Sequence, residues 1–345
     1  MRIGLMLSYA EGFGQAVSEL ADCEAAGLDL VMVPEAYSFD AVSQLGYIAA
    51  RTHRVQLASG VMQLFSRTPT LTAMTAAGLD FVSDGRFSLG LGTSGPQVVE
   101  GFHGVAFDAP VGRTREVVEI CRRVWCREEL TYAGRHYRIP LPAGEGTGLG
   151  KPLKLINRPV RDRIPILLGA VGPRNVELAA EIAEGWQPLF FHPERAKQAW
   201  GDALARGLAR RPAELGPLDV MASAPVSFTD RPEPILARHR AMLALYIGGM
   251  GAQEKNFAND LVRRYGFVEE AETVQRLFLA GRREEAIAAV PEDLVRGTCL
   301  AGCAGEIRDR VAALADAGLT TLLVSPVAPT RAERLSAMEH LRAMN

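Results

Sequence analysis

The chain predicts a closed barrel of eight parallel strands wrapped by helices, and three observations carry that prediction. Short apolar runs alternate eight times with segments of helical period. The runs are apolar throughout rather than alternating, as expected of strands covered on both faces. Small residues follow two neighbouring runs, in Ser59-Gly60-Val61-Met62-Gln63 and in Gly90-Leu91-Gly92-Thr93-Ser94-Gly95-Pro96. Those are strand carboxyl ends, where such barrels build their sites, and glycine there lets backbone approach a flat ring or a phosphate. An open doubly wound sheet is the alternative. The count of eight and the length of 345 residues favour the (β/α)8 barrel.

The elements follow in order. Arg2–Leu7 is the first strand, and Gln15–Gly27 is a helix with Val17, Leu20, Ala21 and Glu24 on one side and Gly27 as its stop. Leu30–Pro34 is the second strand, leaving through Glu35-Ala36-Tyr37, and residues 40–51 form the second helix. Val55–Val61 and Arg86–Gly92 bracket the third helix. Thr68 caps it ahead of Pro69, and Asp84-Gly85 ends it. Leu71, Met74, Thr75, Gly78, Leu79 and Val82 recur at helical spacing and predict its buried face. A helix at about 111–127 comes next. Residues 131–159 then hold a hairpin-like TYAGRHYRI and the glycine-rich PAGEGTGLGKP. That glycine stretch lacks the strand-to-helix setting and the Lys-Ser/Thr ending of a nucleotide loop, so it reads as a flexible lid or linker.

Pro165–Gly169 is the fifth strand, with Val176, Ala179, Ala180 and Ala183 on the inner face of the helix after it. Gly185–Phe191 and Leu218–Phe228 are the sixth and seventh strands. A long helical insertion over roughly 232–292 precedes a helix at 305–318 that buries Ile307, Val311, Leu314 and Ala315. Thr320–Val324 is the eighth strand, and Thr330-Arg331-Ala332-Glu333 is a capping box for the last helix. The chain reads as one domain over 1–345, with insertions at about 130–160 and 230–298.

Composition narrows the function. Hydrophobic residues make up 48% of the chain and the formal net charge is −2, which gives no basis for a nucleic-acid or membrane partner. Met1-Arg2 runs straight into a strand pattern without the parts of a signal peptide, so a cytoplasmic location is expected. Cys23, Cys121, Cys126, Cys299 and Cys303 are scattered, with no C-x-x-C and no accompanying histidine pair. They read as buried thiols, and no metal site is expected.

GLGTSGPQVVEGFHG after the fourth strand, with the SGV exit of the third, resembles the bacterial luciferase-like superfamily, and most closely its branch that uses the deazaflavin coenzyme F420 and includes methylenetetrahydromethanopterin reductase. LGAVGPRNVELAAEIAEGW and the stretch 291–326 continue the resemblance over nearly the whole chain. The resemblance implies a bulge with a non-prolyl cis peptide at Gly60-Val61 supporting the deazaflavin ring. It implies ring and ribityl contacts from Thr93, Ser94 and Gly95, and tail contacts from Ala170, Val171, Gly172, Pro173, Arg174 and Asn175. A homodimer is usual among the resembling proteins. Relatives that oxidise sugar phosphates carry Asp-His after the second strand, where this chain has Glu35-Ala36-Tyr37. That departure disfavours a sugar-phosphate substrate.

The residues agree independently at one point. Gly172-Pro173 opens a helix, so free N–H groups and the positive end of its dipole face any anion there, with Arg174 adjacent. Glu35 is a candidate general acid, which needs a pKa raised by burial, or a group that orders the ring, or else a solvated loop carboxylate. His103 is a candidate proton donor or substrate contact, or a histidine that ties a loop together. Tyr37, Trp186, Phe191 and His192 are either site walls or ordinary barrel packing. The expected activity is hydride transfer between C5 of F420 and a small organic substrate. An FMN-dependent monooxygenase and a non-catalytic flavin-binding barrel are the alternatives.

Overall fold

The computed structural model describes residues 1–8, 12–252 and 255–344. The first half of the chain runs β1 (Arg2–Met6), α1 (Phe13–Ala25), β2 (Leu30–Val33), α2 (Ala41–Ala49), β3 (Gln56–Ser59), β4 (Met62–Gln63), α3 (Pro69–Val82), β5 (Phe87–Gly92), α4 (Pro96–Gly101) and α5 (Pro110–Trp125). A small hairpin, β6 (Tyr132–Ala133) and β7 (Arg138–Ile139), precedes β8 (Ile166–Gly169), α6 (Pro173–Ile182), β9 (Gly185–Gln187), α7 (Ala196–Leu208) and β10 (Asp219–Phe228). Five helices follow: α8 (Glu233–Gly249), α9 (Phe257–Arg264), α10 (Val268–Leu279), α11 (Arg283–Ala288) and α12 (Glu292–Gly297). The chain ends with β11 (Leu300–Gly302), α13 (Ala304–Asp316), β12 (Thr321–Pro326) and α14 (Arg331–Ala343).

The order β1–β2–β3–β5–β8–β9–β10–β12 closes back on β1 with every pairing parallel, which is the expected (β/α)8 barrel. Val226 pairs with Leu300 on one side and Pro326 on the other. The short β11 therefore stands on the β9 side of β10, above the point where β9 ends. Inside the barrel, Leu30, Met32, Ala58, Leu167, Met221 and Leu323 form a small apolar plug. The alternate residues of the same strands face the helices and join the large outer core.

Helix α3 corrects the predicted face. Leu71, Met74 and Val82 are exposed, as is Phe81, while Thr72, Ala73, Ala76, Ala77 and Asp80 face inward with Leu79. Both sides of this helix are apolar, so periodicity could not choose between them. The small side wins because it lets α3 lie close to its neighbours, and Trp125 Nε1 donates to Ala73 O at 3.0 Å. Thr68 caps α3, and the Asp84-Gly85 turn adopts positive φ of 54° and 77°. Ala21 and Ala315 face solvent rather than the core. Cys126 and Cys303 are exposed, unlike the buried Cys23, Cys121 and Cys299. Burial pushes the Cys121 thiol up to about 12. The sixth strand stops at Gln187, well short of Phe191. No helix among the described residues is long and apolar enough to cross a membrane.

Candidate active site

The exits of β3, β5 and β8 meet at the barrel mouth around Val61. The Gly60–Val61 peptide is cis. A β-carbon on Gly60 would collide with the Met32 side chain, one on Gly90 with the Ser59 carbonyl oxygen, and one on Gly92 with Val61. On Gly169 it would sit 3.2 Å from Val61 Cγ1. Backbone pairing between β3 and β5 ends at Ala58 and Ser88. Beyond it, Ser59 Oγ donates to Gly90 O and accepts from Gly90 N, both at 2.9 Å. One hydroxyl thus replaces the broken ladder. The result is a shelf in which the Val61 side chain lies on two glycines.

Gln63 follows this bulge. It is 4% exposed, and neither side-chain amide atom has a hydrogen-bond partner among the described residues. Gln187 Oε1 is also buried and unpartnered. Neither glutamine stood out in the sequence, although Gln63 lies within the quoted exit of the third strand and is its one polar residue after Ser59.

At the β8 exit the loop is pegged from behind. Trp186 Nε1 donates to Ala170 O at 2.9 Å, Trp200 Nε1 to Val171 O at 2.9 Å, and Arg264 Nη2 to Val171 O at 3.0 Å. Gly172 is the N-cap of α6 and no side chain caps it, so first-turn N–H groups stay open to a ligand. Asn175 Oδ1 is buried without a partner among the described residues. Arg174 is exposed. Arg264, which sequence reasoning missed because it comes from the distant α9, is half-buried, and burial holds its guanidinium below the usual arginine range. An uncapped helix start beside a desolvated arginine is suited to an anion. On the intervening loop, Thr93 Oγ1 donates to Ser94 O at 3.4 Å, Ser94 has φ of 56°, and Gly95 is the N-cap of α4.

The Glu35 side chain is buried and fully engaged. Its Oε1 and Oε2 accept from Arg67 Nη1 and Nη2 at 2.6 and 2.9 Å, Oε2 accepts from Ala41 N at 2.9 Å, and Oε1 accepts from Gln63 N at 3.4 Å. A carboxylate that accepts from a guanidinium and two backbone N–H groups has both oxygens engaged in holding the loop. It ties the β2 exit to the turn that carries Gln63.

His103 lies just past α4, edge-on to Phe102 with ring centres 5.2 Å apart, and Phe102 in turn meets Tyr37 at 6.1 Å. Its Nε2 is shielded from solvent and unpartnered among the described residues. Trp186 and Phe191 both pack on Trp200 and belong to the outer core. His192 is buried, with Nδ1 3.0 Å from Glu194 Oε2. A cavity of about 820 Å³ opens beside the shelf, lined mainly by apolar groups such as Leu5, Leu7, Phe190, Pro225, Ile235 and Met242. Met6 lines it too, and its Cε reaches within 3.6 Å of a β-carbon placed on Gly60, so cavity and shelf adjoin.

Comparison with known proteins agrees with this fold. The chain is 44% identical over 345 residues to a Mycobacterium tuberculosis protein that carries the name coenzyme F420-dependent oxidoreductase, covering 98% of this chain and 99% of the relative. It is 26% identical over 316 residues to 5,10-methylenetetrahydromethanopterin reductase of Archaeoglobus fulgidus, covering 89% and 88%. The coenzyme F420-dependent tetrahydromethanopterin reductase from Methanopyrus kandleri shares the fold, with a TM-score of 0.79 at 21% identity over 99% of this chain and 96% of that one. Residues 1–321 match the luciferase-like monooxygenase family, a span that includes the shelf and the start of α6, and the chain belongs to that family.

Proposed function

We propose that this protein is a coenzyme F420-dependent oxidoreductase that moves a hydride between C5 of the deazaflavin and a small organic substrate. One observation carries the reading: the Val61 shelf and the uncapped start of α6 lie at neighbouring strand exits, the first suited to a flat ring and the second to a phosphate. The residues present fit such a group. Gly60 and Val61 would back the ring, and Thr93, Ser94 and Gly95 would flank it. Ala170, Val171, Gly172, Pro173, Arg174 and Asn175 would hold the tail, with Arg264 added to them. When bound, the deazaflavin supplies the hydride chemistry at C5, and the protein supplies position and electrostatics.

The adjoining cavity supports an organic substrate with an apolar body, since pockets of this size and lining hold small molecules. His103 is the proposed proton donor or acceptor, because its Nε2 is sequestered and uncommitted at the rim of the mouth. Glu35 is a positioning group for the Gln63 turn. We further propose a cytoplasmic homodimer. The exposed stripe of Leu71, Met74, Phe81 and Val82 on α3 supports self-association, because contiguous apolar surface of this kind marks contact faces.

The test is titration of the apoprotein with F420 and, in parallel, with FMN. Preferential F420 binding, followed by substrate-dependent change in F420 absorbance, is expected. Preferential FMN binding with oxygen uptake would move the reading to a monooxygenase. Tight F420 binding with no turnover across a broad substrate panel would make it a non-catalytic cofactor carrier.

A further inference from the structure

Strand register places one row of residues across the barrel mouth. Gln63 pairs with Gly92, Gly92 with Gly169, and Gly169 with Gln187. Residues paired in this way project to the same face of the sheet. The preceding row, Met62, Leu91, Leu168 and Trp186, belongs to the outer core, so the Gln63 row faces the lumen. It reads carboxamide, glycine, glycine, carboxamide, with Val61 resting on the two glycines. Three strand spacings separate the glutamines, about 14 Å at the backbone before the side chains reach inward.

Both carboxamides lack what buried amides normally have. Gln63 Oε1 and Nε2, and Gln187 Oε1, are buried with no partner among the described residues. Buried polar atoms left this way are uncommon, and a pair of them bracketing one shelf points to a ligand. Gln63 is held on that shelf through its backbone, since its N–H reaches Glu35 Oε1 at 3.4 Å and its carbonyl accepts from Ser66 Oγ at 3.2 Å. A carboxamide presents one donor and one acceptor side by side. The imide edge of a deazaflavin presents the complementary ring carbonyl and ring N–H.

We propose that Gln63 recognises this imide edge, with Nε2 donating to a ring carbonyl and Oε1 accepting from ring N3–H, and so fixes where the ring lies against Val61. The assignment rests on the reading of the chain as a deazaflavin-binding barrel. Gln187 closes the row at the far side and makes no contact with the imide.

The test compares F420 with F420 methylated at ring N3, titrated by fluorescence against wild type, Gln63→Leu, Gln63→Glu and Gln187→Leu. Wild type should bind F420 and prefer it over the methylated form by about tenfold or more. Gln63→Leu should weaken F420 binding by about tenfold or more and abolish the preference. Gln63→Glu keeps the shape but removes the donor, so it should also lose affinity, which guards against a misfolded leucine variant. Gln187→Leu should keep the preference. Wild-type affinity in Gln63→Leu, or an undiminished preference in Gln63→Leu, would overturn the proposal while the cofactor reading stands; Gln63→Glu keeps the acceptor for N3–H and should lose affinity while retaining the preference. Failure of wild type to bind F420 at all would remove the cofactor reading, and this assignment with it.

Discussion

Glu35 and Arg67 face each other in a two-pronged ion pair, Oε1 to Nη1 at 2.6 Å and Oε2 to Nη2 at 2.9 Å, with side chains only 6% and 15% exposed. Such a pair is costly to break from one side, because the remaining charge stays buried. Glu35→Gln is expected to destabilise the fold by about 3 kcal/mol in urea unfolding. Glu35→Gln/Arg67→Met should recover part of that loss. If Glu35 were instead a free general acid, the single variant would lose turnover with little change in stability.

The glycines at the mouth make a graded prediction. Gly90→Ala drives a methyl into the Ser59 carbonyl oxygen, a backbone atom that cannot swing away. It should cost about 3 kcal/mol or more and lower Tm by several degrees. Gly172→Ala meets nothing within 4 Å at a φ of −71° and should cost no more than about 1 kcal/mol, the difference between glycine and alanine as a helix N-cap. Gly172→Glu, by contrast, places a negative charge at the start of α6 and should weaken F420 binding without unfolding the protein.

The barrel and the glycine-rich exits were legible in the sequence because both write themselves locally, as short apolar runs and as clusters of small residues. The orientation of α3 was not, since Leu71 and Ala73 both lie on apolar faces and only the closeness of neighbouring elements selects Ala73. Arg264 and Gln187 were invisible for another reason. Each joins the mouth through contacts far apart in sequence, Arg264 to Val171 and Gln187 through register with Gly169. Glu35 was found by position, but its ion pair was not legible, because its partner Arg67 lies on a different loop.

Arg264 and Arg174 separate the buried cation from the exposed one. Arg264 Nη2 is fixed to Val171 O, its Nε is unpartnered among the described residues, and the group is partly desolvated. Arg174 stands in solvent, where screening weakens its pull. Arg264→Met should raise the Kd for F420 by about tenfold, and Arg174→Met by no more than about threefold with a steeper loss of that effect at high salt. Equal effects of the two substitutions would argue against a buried anion contact.

His239 gives the protein a built-in acid sensitivity. Thr298 Oγ1 donates its only proton to Leu294 O at 2.8 Å, so in the 2.7 Å contact with His239 Nε2 the imidazole is the donor. Burial pushes this histidine down to about 4, below the unfolded value of about 6.5. Below pH 6.5 the unfolded chain therefore binds a proton that the folded chain refuses. Stability should fall as pH drops from 6.5 to about 4, by roughly 3 kcal/mol in all from this group, and then level off. His239→Gln keeps a donor for Thr298 and should flatten urea midpoints over that window; an unchanged slope would exclude His239 as the source.

The outer face of α3 is unusually apolar for a solvent-facing helix. Leu71, Met74, Phe81 and Val82 present large apolar side chains to solvent, with Leu71 47% and Phe81 68% exposed, on a helix whose opposite side is satisfied by small residues. Nothing in the barrel needs large groups there, and four of them on one helix face would be a solubility burden in a monomer. A second copy of the chain meeting this face would bury them, and a two-fold arrangement lets one patch serve both partners. Leu71→Glu/Phe81→Glu is expected to shift sedimentation from dimer to monomer while leaving the far-ultraviolet circular dichroism and the F420 affinity of the folded chain intact, because neither residue reaches the Val61 shelf. A wild-type chain that sediments as a monomer at micromolar concentration would remove this interface.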